Sequence, residues 1–332
     1  MFIWGGENSF GPSINSFGYN PHNNYWSNLN STSLPTPRTD HTAIWTGGGM
    51  LIWGGTNSTA RLADGYFWNM ETYRWTQIPS APMPRSGHAA FWQKISGFER
   101  MVVFGGRTGN FLSTATLLNT IEVYEPTNSS WSTLQTQGSP PIIREKMAYA
   151  YFENEKKFFI WGGSNFLALG DGWVLDFNKN AAMWTSISTT NAPSSRTEMS
   201  FTSFNDGDPK VVIWGGQTNG TELNTGYIYN LRTNSWSQMT TTNAPSARTG
   251  AKMVWTGNEI MVWGGKVNGS TTDTGAFYNV RSDSWLETSP HNSPEPRFGH
   301  SMVLDSVNKD VYIFGGEDQN GTPLQSLYKI KP

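Results

Sequence analysis

Six arginines recur at nearly even spacing: Arg38, Arg85, Arg144, Arg196, Arg248 and Arg297. A guanidinium presents its N–H donors in a planar fork, so a set of them on one surface could bind acidic peptides or carboxylated sugars bidentately. Three residues after each arginine stands His41, His88, Met147, Met199, Ala251 or His300. Histidines in such a series raise metal ligation or general-base chemistry, but these three come from separate segments and share no short ligand spacing. Glu145 and Glu198 follow their arginines closely and break the pattern there. They are the acid–base candidates, with Arg144 and Arg196 as the cations an enzymatic site would use. A structural reading stands beside each of these. What recurs in every unit belongs to the fold, with the arginines bonding loop carbonyls of a neighbouring unit and the carboxylates forming loop ion pairs. No Ser/His/Asp set, phosphate loop or clustered metal ligand stands out, and cysteine is absent, so no cofactor and no metal is expected.

The elements that position these residues follow from a repeat. Gly-Gly pairs fall at residues 5, 54, 105, 162, 215, 264 and 315, at intervals of 49 to 57 residues. A period near fifty fixes architecture before any local signal does. Six pairs are followed by an aromatic residue and a Trp seven apart: Tyr19/Trp26, Trp68/Trp75, Tyr124/Trp131, Phe177/Trp184, Tyr229/Trp236 and Tyr278/Trp285. The seventh pair reaches Tyr328. Each period holds four short β signals; in one they run 251–255, 259–263, 274–278 and 284–287, separated by Asn, Asp, Gly, Ser and Pro. One four-stranded sheet cannot bury both its faces, whereas sheets set radially cover one another. The aromatic and the Trp are the wedges between them.

A hydrophobic run, Gly-Gly, an aromatic, six residues and a Trp, seven times in phase, resembles the kelch-repeat family, in a version similar to bacterial ones. The resemblance covers essentially all 332 residues and implies an all-β, seven-bladed kelch β-propeller forming a single domain. The blades are expected near 1–30, 38–78, 85–134, 144–187, 196–239, 248–287 and 297–332. Met1 aligns within a second strand, so the first blade is expected to lack its inner strand and the last its outer strand. The favoured expectation is a longer natural chain with roughly 30 further residues upstream, as the repeat period implies; the alternative is a start at Met1 with the ring closed by two three-stranded blades. Such a chain would favour an extracellular, periplasmic or cell-surface location. Copper oxidases on a related propeller need a cysteine cross-linked to a tyrosine, which this chain cannot supply. Some bacterial kelch propellers are sialic acid mutarotases, and that reading would use Arg144, Glu145, Arg196 and Glu198.

Where blades depart from the repeat, function is expected. The loop after Gly106 is longer than its counterparts and carries Arg107, Phe111 and Leu112. The linker that follows reads Ile142-Ile143-Arg144-Glu145-Lys146, where others read like Asn243-Ala244-Pro245. In kelch propellers these two kinds of loop share a face, so both departures are expected in one sector. The apolar residues are either a partner surface or a patch buried under the long loop. Trp173 stands outside the repeat positions and is a candidate surface contact. Charged residues make up 14% of the chain and the net charge is −2, with no basic run, so nucleic acid is not an expected partner. No apolar stretch approaches the length of a membrane span. The leading expectation is a monomeric, non-catalytic scaffold that binds a protein or glycan on the loop face. A sugar-active enzyme and a structural module of a larger surface protein are the alternatives.

Overall fold

The computed structural model describes residues 1–8, 11–29, 34–57, 59–95, 97–109, 116–289 and 293–332. Among them there is no helix. Seven antiparallel meanders follow one another along the chain, five of four strands and two of three. The fold class is the seven-bladed β-propeller, as the period implied. The blades group into two compact units, residues 1–146 with 180–182, and residues 147–179 with 183–332.

In the first unit, blade one pairs Phe2–Trp4, Ser16–Asn20 and Tyr25–Asn28. Blade two pairs Thr42–Trp45, Gly49–Trp53, Gly65–Asn69 and Arg74–Ile78. Blade three pairs Ala89–Ile95, Phe98–Phe104, Ile121–Glu125 and Ser130–Thr133. In the second unit, blade six shows how closely local sequence sets the strands. They are Lys252–Trp255, Glu259–Trp263, Gly275–Asn279 and Ser284–Glu287, each within a residue of the predicted run. Its second strand is buried on both sides, with Ile260 through Trp263 fully inaccessible, which is why it reads as a continuous apolar run. Blade seven ends the unit with Ser301–Leu304, Val311–Phe314 and Leu327–Ile330.

The Gly-Gly pairs are set by backbone geometry. Gly264 and Gly265 have φ of 69° and 95°, a region that L side chains avoid. A Cβ on Gly265 would also lie 2.4 Å from the Thr249 carbonyl oxygen.

The wedges between blades are Trp on Trp. In the first unit Trp75 meets Trp4 at 5.8 Å and Trp131 meets Trp53 at 5.1 Å between ring centroids. In the second unit Trp236 meets Trp161 at 6.0 Å and Trp285 meets Trp214 at 5.9 Å. Each of these four fourth-strand Trp thus packs on the Trp that precedes the Gly-Gly pair of the blade before it. The indole N–H groups of Trp131, Trp236 and Trp285 donate to the carbonyls of Pro79, Ser188 and Thr240. Burial of one such ring is worth roughly 4–6 kcal/mol before ordering costs.

Register corrects two of the expected wedges. Trp68 pairs with Trp75 and lies opposite Met50. The equivalent residue in blade four is Leu175, which pairs with Trp184, and not Phe177. In blade seven it is Ile330, opposite Val311, and not Tyr328. The spacing of seven misled in blade four because the turn before Trp184 is two residues longer; in blade seven Tyr328 holds a different repeat position with an aromatic preference of its own.

Candidate functional site

The six arginines are at most 1% exposed. Arg248 is representative. Its Nη1 donates to the Gly264 and Thr274 carbonyls at 3.2 and 2.8 Å, its Nη2 to the Thr274 hydroxyl at 3.0 Å, and its Nε to the Ser246 carbonyl at 3.0 Å. Arg38, Arg85 and Arg196 repeat the Nη1 bonds with Gly54 and Asp64, Gly105 and Thr120, and Gly215 and Thr225. These acceptors lie in the arginine's own blade, which corrects the expectation of a neighbouring one. The backbone makes the link between blades: Gly216 N–H donates to the Arg248 carbonyl, and Arg248 N–H to the Leu223 carbonyl. Each arginine is therefore a clasp, and the guanidinium groups do not form an exposed recognition surface. Arg144 and Arg196, the cations of the enzymatic reading, are fully buried in this way. Arg144 donates from Nε to the Ile142 carbonyl at 3.2 Å.

The next register position supports the clasp. Tyr66, Tyr227 and Tyr328 lie under the guanidinium groups of Arg38, Arg196 and Arg297 at 5.6, 5.5 and 5.1 Å. Trp173, opposite Ile160 as Tyr66 is opposite Ile52, holds the same position. It is a repeat residue rather than the outlier its spacing suggested. Its ring is half-buried and its N–H donates to Asp171 Oδ2 at 3.2 Å. Blade three places Glu122 at this position, and Arg85 pairs with it at 3.1 Å with both groups buried.

The histidines belong to the wedges. His41, His88 and His300 set their ring edges against Trp4, Trp53 and Trp263 at 5.0, 4.9 and 5.2 Å. Burial, reinforced by nearby cations, lowers their pKa from 6.5 to about 4, 3 and 3. Among the described residues no group of His, Cys, Asp or Glu is arranged to hold a metal ion.

A cluster in the first unit departs from the repeat. Arg107 directly follows the Gly-Gly of blade three, and its guanidinium pairs with the Glu145 carboxylate. Glu145 is buried, whereas the Arg107 side chain is one-third exposed. Arg61, from the loop of blade two, donates to the Gly109 carbonyl at 2.8 Å. Burial and then the Arg107 charge disfavour the Arg61 guanidinium, and Glu145 partly restores it, so the three groups share one field. Gly87 makes room for the carboxylate: a Cβ there would lie 3.2 Å from Glu145 Oε2. Lys146 is exposed beside the cluster, at φ 53°, with its N–H on the Gly87 carbonyl.

The two departing loops are in contact. Asn119 Nδ2 donates to the Pro141 carbonyl at 2.9 Å, and Arg144 N–H to the Leu118 carbonyl at 3.1 Å. Leu117 and Leu118 are buried, but Ile142 and Ile143 remain 48% and 40% exposed. Phe111 and Leu112 lie outside the described residues. Glu198, in the second unit, is exposed at φ 55° and accepts the Gly250 N–H on its carbonyl. Sequence reasoning passed over Arg61, whose one signal is its place in a loop otherwise filled by Asn, Ser, Thr and Ala. It also passed over Phe166 and Leu167, 70% and 75% exposed at a loop tip of the second unit.

The model of the KLHDC2/KLHL20/DRC7 kelch-repeats domain matches residues 1–207, 99–256 and 250–332. No individual curated protein matches the chain. The family match spans the whole sequence, its Gly-Gly and Trp positions are the ones the blades use for turning and wedging, and the chain belongs to the kelch-repeat family.

Proposed function

We propose that this chain is a non-catalytic scaffold that recognises an acidic segment of a protein partner, through Arg61 and Arg107 with Ile142 and Ile143 beside them. Kelch propellers are protein-interaction scaffolds as a class. The observation that carries the finer reading is the charge of the loop cluster: two arginines share one carboxylate, Glu145, while Arg107 keeps contact with solvent. Arginine combines a fixed charge with a flat, weakly hydrated face, and it is enriched where interfaces concentrate binding energy. The exposed neighbours are aliphatic, which suits a protein segment better than the face of a sugar ring.

Panning a displayed peptide library against the protein tests this. Acidic sequences should be enriched, and Arg107→Met and Ile142→Asp should each weaken the selected peptides by about tenfold or more, measured at a temperature where both variants are shown to be folded. Failure to enrich acidic sequences, or equal affinity in both variants, rejects the assignment.

A further inference from the structure

We propose that Glu145 is the specificity-determining residue of the Arg61–Arg107 cluster, an internal carboxylate that a ligand must displace and that excludes small free anions. The proposal rests on reading the cluster as a carboxylate site. Its support comes from comparing blades. The position directly after the clasp arginine is Thr39, Ser86, Thr197, Thr249 or Phe298 elsewhere, and only here is it acidic. The facing position, directly after the Gly-Gly pair of the preceding blade, is Arg107 here. Between blades six and seven the same two positions meet as Lys266 Nζ over the Phe298 ring at 3.7 Å. The approach of these positions is therefore a property of the fold, and the Arg–Glu pairing is particular to this junction.

Glu145 is 6% exposed, with Gly87 leaving space for its Oε2. Its carboxylate occupies the guanidinium from within. A free anion that took its place would exchange one carboxylate contact for another and leave Glu145 buried without its counter-charge, so the exchange gains nothing. A protein segment also covers Ile142 and Ile143, and that apolar contact offsets the displacement. The cluster thereby discriminates against small oxyanions and free sugar acids and favours an acidic side chain carried on a polypeptide.

Inorganic phosphate and acetate are the probes, at constant ionic strength. The variants are Glu145→Gln and Glu145→Thr, the second restoring the residue of blades two, five and six. With millimolar phosphate the wild-type thermal midpoint should not move, while both variants should gain a saturable rise and bind at least about tenfold more tightly. Adding Arg107→Met to either variant should abolish the rise. A wild-type response equal to that of the variants overturns the proposal. So does the absence of any response in folded Glu145→Thr, even where acidic peptides still bind the wild type through Arg107. In that case the scaffold reading stands and the role of Glu145 falls. If acidic peptides also fail to bind, both fall together.

Discussion

His88 and His300 are 6% and 1% exposed, and each is held neutral against a Trp. Their folded pKa lies near 3, below the ordinary 6.5. Above pH 6.5 the imidazoles are neutral whether folded or unfolded, and the contribution to stability is complete. As pH falls below 6.5 the unfolded chain takes up the protons and the folded chain does not. Each histidine then removes about 1.4 kcal/mol per pH unit until its folded pKa is reached. The unfolding midpoint in urea should therefore fall steadily from pH 6.5 to pH 4. A His88→Gln variant that remains folded should show a shallower fall, and a parallel one would mean His88 is not held neutral. The histidines were legible in sequence as members of a series, and their structural role followed from recurrence. Glu122 was not legible, because it stands where blades one, two, four, five and seven carry an aromatic and only the register brings it to Arg85.

At the scale of elements, the strands follow from apolar runs and turn residues, and blade six was readable almost to the residue. The wedge at Leu175 was not, because a fixed spacing cannot see a turn lengthened by two residues, nor was the one at Ile330, because Tyr328 offers an aromatic at a different register position. Loop conformation was equally hidden. Blades five and six close the loop after Gly-Gly with Asn219-Gly220 and Asn268-Gly269, at φ of 48° and 78°, and 50° and 78°. Blade four places Phe166 at φ 82° in the corresponding loop. The turn is pinned by Asn165 N–H on the Leu167 carbonyl and by Phe166 N–H on Ser164 Oγ, both at 3.1 Å. An aromatic residue there is strained and, being 70% exposed, makes little packing in return. Phe166→Gly should accordingly stabilise the second unit by about 1 kcal/mol, the strain released exceeding the added freedom of the unfolded chain. Urea denaturation measures it, and a lower midpoint would show that the ring packs better than its exposure indicates.

Along the chain one clasp recurs: a buried arginine, at Arg85, Arg196, Arg248 and Arg297, whose side chain binds its own blade and whose backbone binds the blade before. Blades tied only to their neighbours behave as a nearest-neighbour array, so damage should spread first to adjoining blades. Arg248→Met tests this inside the second unit. The backbone bonds to Gly216 and Leu223 remain possible, and the Thr274 carbonyl keeps the Gly264 N–H at 3.0 Å, but the Gly264 carbonyl loses its buried donor. Leaving that one buried acceptor unmatched costs about 1–3 kcal/mol. Arg85→Met should cost more, because it also strands the buried Glu122 carboxylate, a penalty of about 3–5 kcal/mol. Hydrogen exchange resolved by segment should show Arg248→Met accelerating amides of blades five and six ahead of blade four. Uniform acceleration through the unit would mean that its blades open together, and that the clasps serve a single cooperative core rather than a series of separable junctions.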